Sequence, residues 1–280
     1  MPRSEKPPVV EYIYKSLVDP ITGRLTRTIV TNEDVVNAIN WCRENLGLNL
    51  SAKNPANFIK DIIRGKSAAS MWPESLKQAR VSARQVTGYG NVFEFVPYLD
   101  GQVEPFPDNF GYHAGVQKHR IQSVSMPLAS KALGRDDETY LIQVAVKLAV
   151  VETHFALQSP IQVVELNHLQ IGIKLRLCEL DSLFSATYVD EFGKLAPLII
   201  TAEAKRRDQR ILEDQIVRQV HAAFAETETP AVVPIAMTAS AGGIYIAEFK
   251  KVWRPELEDF KQLELEAEGL YVLEPPVQGI

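Results

Sequence analysis

The stretch LIITAEAKRRDQR, Leu198 to Arg210, decides how the second half of the chain is read. It opens with apolar and β-branched residues, the composition of a central strand, and then reaches Glu203-Ala204-Lys205. Side chains alternate faces along a strand, so Glu203 and Lys205 project from the same side, about 7 Å apart along the chain. The strand therefore ends in a small patch that carries a carboxylate and an ammonium.

Downstream, ILEDQIVRQVHAAFAE (residues 211–226) repeats Leu212, Ile216, Val220 and Phe224 at every fourth position, the pattern of an amphipathic helix laid on a sheet. Upstream, PIQVVELNHLQIGIKLRLCELDSLFSATYV (160–189) is dense in Val, Ile, Leu and Phe, and Lys174, Arg176 and Glu179 interrupt its apolar run. DEFGK (190–194) supplies the turn into the quoted strand. Before these strands, ETYLIQVAVKLAVVETHFALQS (138–159) has helical spacing and predicts one long, largely buried helix. The order helix, strand, hairpin, strand, helix predicts an α/β (α+β) core, a mixed central sheet flanked by helices.

The first half reads as mainly helical. TNEDVVNAINWCRENLG (31–47) has Thr31 or Asn32 to cap it, Val35, Val36, Ile39 and Leu46 inside, and Gly47 to end it. NPANFIKDIIRG (54–65) and WPESLKQARVSARQV (72–86) predict two further helices opened by prolines, and NVFEFVPYL (91–99) predicts a strand. Lys60, Arg64, Lys66, Lys77, Arg80 and Arg84 lie on or near these helices. They either form a helical DNA-reading module or simply solvate helix surfaces. Residues 100–137 are rich in Pro, Gly and polar side chains and read as a long connection, so the domain boundary is expected near 130. The chain is then expected to divide into a mainly helical region, 1–130, and an α/β region, 131–280.

A chain of 280 residues, 46% hydrophobic and 23% charged, has an ordinary globular composition. Its net charge of -5 gives no global attraction to nucleic acid, although local basic clusters escape such a sum. Cys42 and Cys178 lie far apart without CxxC spacing, which points to neither a disulfide framework nor a zinc site. The five histidines show no paired ligand spacing, and Gly88 and Gly90 are not followed by a phosphate-binding motif, so no nucleotide cofactor is expected. The opening residues lack the apolar segment of a signal peptide and no run reaches membrane-spanning length, so a cytoplasmic protein away from membranes is expected.

A strand, a turn and a return strand separate Asp181 from Glu203, so the two carboxylates can meet across adjacent strands. Two carboxylates offering only oxygen suit a hard divalent ion such as Mg2+, with Mn2+ as a substitute. Lys205 remains to position a nucleophile and to offset charge developing on a phosphate. The arrangement resembles the PD-(D/E)XK nuclease superfamily, the fold of most restriction endonucleases. Its signature is an acidic residue on one core strand, here Asp181, and (Asp or Glu)-x-Lys on the next, here Glu203-Ala204-Lys205. Leu180 stands where that pattern often has proline. Some members carry a glutamate on the preceding helix, for which Glu152 is the candidate, and others a glutamine on the following helix, for which Gln215 is the candidate. The likeness spans residues 138–225.

The resemblance implies a Mg2+-dependent, site-specific endonuclease of the type II restriction kind, acting on double-stranded DNA as a homodimer. Asp181 and Glu203 would hold the metal, with Glu179 as a further ligand or a solvated strand residue. Arg206, Arg207 and Arg210 either contact DNA phosphates or solvate a helix entrance, as do Lys60, Arg64, Arg80 and Arg84. A structure-selective repair or recombination nuclease, a nuclease subunit of another defence system, and a non-catalytic DNA-binding protein are the alternatives.

Overall fold

A computed structural model of the chain describes residues 4–65, 68–86, 88–174, 179–207 and 209–280. These residues separate into two units at Asn109/Phe110.

The first unit contains α1 (Lys6–Leu17), β1 (Ile29–Thr31), α2 (Asn32–Leu46), α3 (Lys60–Ile63), α4 (Glu74–Gln78), β2 (Val81–Gln85) and β3 (Asn91–Pro97). Helix α2 forms as its caps predict: Thr31 and Asp34 make a capping box, and Gly47 takes the left-handed conformation that ends the helix. Helix α1, absent from the sequence reading, tolerates Pro7 and Pro8 because the first-turn N–H groups have no helical partner to lose. It buries Val9, Val10, Ile13 and Leu17. The helix expected over 54–65 shortens to a 3-10 turn at Pro55–Asn57 followed by the four residues of α3.

The helix expected over 72–86 stops at Gln78. Arg80 adopts a positive φ of 54°, and Val81–Gln85 then pairs antiparallel with β3, Arg84 lying opposite Glu94. The helix-favouring Ala83, Arg84 and Gln85 are overridden by that pairing. Most of the unit's regular structure is helical, as expected, but β1, β3 and β2 add an antiparallel sheet that the sequence reading foresaw only as one strand. Trp72, 2% exposed, anchors the unit against Phe95 and Phe106 and donates its indole N–H to the Val81 carbonyl.

The second unit holds β4 (Lys118–Gln122), α5 (Leu128–Ala132), α6 (Glu138–Lys147), α7 (Val150–Leu157), β5 (Val163–Lys174) and β6 (Glu179–Val189). It continues with β7 (Leu195–Lys205), α8 (Glu213–Glu226), β8 (Ala231–Ser240), β9 (Gly243–Phe249), β10 (Val252–Trp253) and β11 (Leu265–Glu274). The division lies ahead of the boundary expected near 130 because β4 runs parallel to β11 inside this sheet and Val116 joins its core. The stretch read as a connection is thus partly a strand of the second unit. The expected single helix over 138–159 is broken as well. Ala149 takes a positive φ of 51°, and α6 and α7 meet at 64°. Among the described residues, no single helix is long and apolar enough to cross a membrane.

The sheet is mixed, in the order β4-β11-β9-β8-β7-β6-β5 with β10 beside β8. Strands β5, β6 and β7 form an antiparallel meander, and α8 carries the chain over to β8, which lies parallel to β7. Arg176 and Cys178, between β5 and β6, lie outside the described residues, as does Lys66. Strand β8 is buried along almost its whole length because both sheet faces are covered. Val233, Ile235 and Met237 join the core under α6 and α7, whereas Val232 and Ala236 face the side covered by α8. Pro234 lies in this central strand opposite Thr201 of β7, and on its other side it falls in the gap between the β10 pairing, which reaches Val232, and the β9 pairing, which begins at Ile235.

Candidate active site

Along β7, Leu198, Ile200, Ala202 and Ala204 enter the core under α6 and α7, and Ile199 packs on the α8 side. Alternation then sends Glu203 and Lys205 toward α8. Along β6, Phe184, Ala186 and Tyr188 share the α6/α7 side, so Asp181 also faces α8. The two strands pair with Ser182 opposite Ala202, and extending that register by one residue sets Asp181 opposite Glu203. The Asp181 carboxylate accepts the Ala204 N–H at 2.9 Å, which fixes it at the end of the ladder.

The cluster is closed on itself. Lys205 Nζ donates to Glu203 Oε1 and, at 3.0 Å, to Gln215 Oε1. Gln219 Nε2 donates to Glu203 Oε2 and, at 3.3 Å, to the Glu179 carbonyl. Glu203 is 1% exposed and Lys205 3%, while Asp181 is half-buried. Burial, the negative charge of Glu203 and a hydrogen bond between the two carboxyl groups push Asp181 up to about 7. The Ala204 N–H and the Lys205 charge pull the other way and only partly offset this. One ammonium is thus set against two adjacent carboxyl groups.

The donor set fits a hard divalent ion: two carboxyl groups on facing strands, oxygen only, of which burial and the nearby Glu203 leave Asp181 protonated toward the neutral range. Asp181 and Glu203 are the residues that would hold it. Among the described residues no group of three or more His, Cys, Asp or Glu converges, so the remaining positions would fall to water and substrate oxygens.

The other sequence candidates scatter. Gln215 reaches the cluster through Lys205. Glu179 is exposed, and its backbone, not its carboxylate, meets Gln219. Glu152 stands on α7, which packs on the opposite side of the sheet, and joins neither carboxyl group. Burial raises its carboxyl above the usual range, and its Oε2 has no hydrogen-bond partner among the described residues. Arg206 and Arg207 are exposed at the end of β7, Arg206 lying 3.8 Å from Glu138. Arg210 is buried. In the first unit, Lys60 and Arg64 are half-buried, Arg80 stacks on Tyr98 and Arg84 pairs with Glu94 at 2.7 Å.

Two features escaped the sequence reading. Gln219 is one; its signal was present, one helical turn after Gln215 on the same face. The other is a buried network in which His154 Nε2 meets Glu248 Oε2 at 2.9 Å and His154 Nδ1 meets the Tyr271 hydroxyl at 2.8 Å. Ser159 donates to the second Glu248 oxygen at 2.8 Å. His154 and Glu248 are fully buried, and their partners come from α7, β9 and β11, too far apart in sequence for any local pattern to join them.

Comparison of the chain with family models, with curated proteins and with solved structures returned no match.

Proposed function

We propose that the chain is a metal-dependent endonuclease of the PD-(D/E)XK kind that hydrolyses phosphodiester bonds in double-stranded DNA, in the role of a type II restriction enzyme. The observation that carries this reading is the meeting of Asp181, Glu203 and Lys205 on one side of two adjacent strands. The element order supports it: helical residues, here broken into α6 and α7, then a hairpin-linked antiparallel meander and a following helix, the order on which the resemblance rests.

A bound Mg2+ ion would lower the pKa of water and polarise a phosphoryl oxygen. Asp181 and Glu203 would hold such an ion by their carboxylates. Lys205, bonded to Glu203 and oriented by Gln215, presents Nζ to the phosphate and offsets charge developing on its oxygens while water attacks phosphorus and the sugar oxygen leaves. Arg206 and Arg207, exposed immediately after Lys205, supply cations for the flanking phosphates. The first unit, with Lys60, Arg64, Arg80 and Arg84, is assigned to DNA recognition.

A non-catalytic reading has one observation in its favour, the deep burial of the Glu203–Lys205 pair, which a structural ion pair also explains. Asp181 argues against it. A structural pair needs no second carboxyl group, and here one is held against the first at a cost in ionisation.

Single-turnover cleavage of a long unmethylated DNA with Mg2+ tests the proposal. Discrete fragments are expected; smearing or cutting only at junctions and ends would move the role to repair or recombination. Lys205→Ala should bind DNA in Ca2+ with an affinity within about tenfold of the parent, about 1.4 kcal/mol. Its cleavage should fall on the order of 100- to 1000-fold, roughly 3 to 4 kcal/mol. Asp181→Ala should also lose cleavage, with partial rescue by raised Mg2+ that Lys205→Ala does not show. Cleavage by Lys205→Ala at the parent's rate refutes the assignment.

A further inference from the structure

Gln219 sits on α8 one turn beyond Gln215 and is fully buried. One set of bonds leaves its amide nitrogen: to the Glu203 carboxylate on β7 and to the Glu179 carbonyl on β6. Its donor capacity is therefore spent on the two strands that carry the paired carboxyl groups. Its own carbonyl oxygen, Oε1, is buried and has no hydrogen-bond partner among the described residues. A side chain kept only for packing gains nothing from that orphaned acceptor, since methionine fills similar space without it.

The division of labour around Glu203 is specific. Lys205 takes Oε1, and Gln219 takes Oε2. The lysine alone would leave the carboxylate free to turn about its last bond; the amide on the second oxygen stops that rotation. Asp181 is oriented in a different way, by a backbone N–H. Each of the two carboxyl groups thus has its own fixed donor.

We propose that Gln219 is a positioning residue for divalent-ion binding: it holds the Glu203 carboxylate in its ligating orientation, and its open Oε1 accepts from a water ordered with the ion. The inference rests on the proposed nuclease reading and deepens it by naming a residue that acts through Glu203. Hydrogen-bond partners of metal ligands generally set both ligand orientation and basicity.

The test is calorimetric titration of Mg2+ into the full chain without DNA, alongside metal-free thermal unfolding. Gln219→Met is expected to bind Mg2+ about 10- to 100-fold more weakly than the parent. Its metal-free melting temperature should stay within about 4 °C, the shift of a small stability change. In cleavage, the Mg2+ concentration at half-maximal rate should rise while the rate at saturating Mg2+ stays within about threefold, which separates a lost positioning contact from a lost reactive group. Gln219→Asn, one methylene shorter and still polar, serves if the methionine variant fails to fold, and the same weakening is expected. Unchanged Mg2+ affinity in whichever variant folds overturns the inference, as does a loss of affinity matched by an equal loss of metal-free stability. A parent chain that cuts DNA and binds Mg2+ beside a variant that binds equally well sinks this inference alone; a parent that neither binds Mg2+ nor cuts sinks the nuclease reading with it.

Discussion

Replacing Asp181 by asparagine should stabilise the metal-free protein, and only above a defined pH. An unfolded aspartate titrates near the ordinary value of 3.8, whereas in the folded chain Asp181 is pushed up to about 7. Between these values the folded state holds a proton that the unfolded state has released, so stability falls as pH rises, by up to about 1.4 kcal/mol per pH unit. The full interval corresponds to about 4 kcal/mol, and partial solvent access at this half-buried group trims it to roughly 2 to 4 kcal/mol. That stability is present at pH 4 and gone above about pH 7. Asparagine keeps the shape and an oxygen for the Ala204 N–H but carries no charge to repel Glu203. Urea unfolding in the presence of a chelator, at half-unit steps from pH 4 to pH 8.5, measures the difference between the two proteins. It should be near zero at pH 4, grow through the interval and level off above about pH 7.5. A difference independent of pH, or one that shrinks as pH rises, would show that burial and the neighbouring Glu203 do not raise Asp181, and would remove a main reason to set a divalent ion beside it. Saturating Mg2+ should stabilise the parent more than Asp181→Asn, because binding to the folded state alone adds to stability and the variant has lost a charged ligand.

The buried network on the α7 side makes a separate prediction. His154→Leu leaves Glu248 fully buried with Ser159 as its remaining side-chain donor, and the cost expected is about 3 to 5 kcal/mol. Tyr271→Phe removes one hydrogen bond to His154 and should cost only about 1 kcal/mol, so denaturant midpoints that fail to rank the two variants in this order contradict the network. Cutting both strands of a palindrome is simplest with two identical active sites, which predicts a homodimer of a chain of 31.3 kDa. Light scattering that reads a monomer both with and without DNA argues against that assembly.

Local pattern was enough for the elements whose periodicity and punctuation agree. Helix α2 carries its own capping box and terminal glycine, α8 repeats an apolar residue every turn, and β7 opens with an apolar, β-branched run, so each could be read from adjacent residues. The same was true of the pairing of Asp181 with Glu203, because one hairpin of known turn length fixes which residues face each other. Only tertiary contacts decided the rest. Val81–Gln85 is a strand because β3 lies beside it, against the helical preference of its own residues. Residues 118–122 belong to the second unit because β11, more than a hundred residues later, pairs with them. The sequence offered Glu152 as an accessory ligand beside Asp181 and Glu203, yet α7 and α8 cover opposite sides of the sheet, so Glu203 meets Asp181 and Glu152 does not. The place of Gln219 has the same origin: the sequence marks it as one turn from Gln215, but the burial that leaves its oxygen without a partner among the described residues arises only when α8 docks over β6 and β7. Helix periods and hairpin registers are properties of neighbouring residues, whereas the side of a sheet that a helix covers depends on how the whole chain buries its apolar surface.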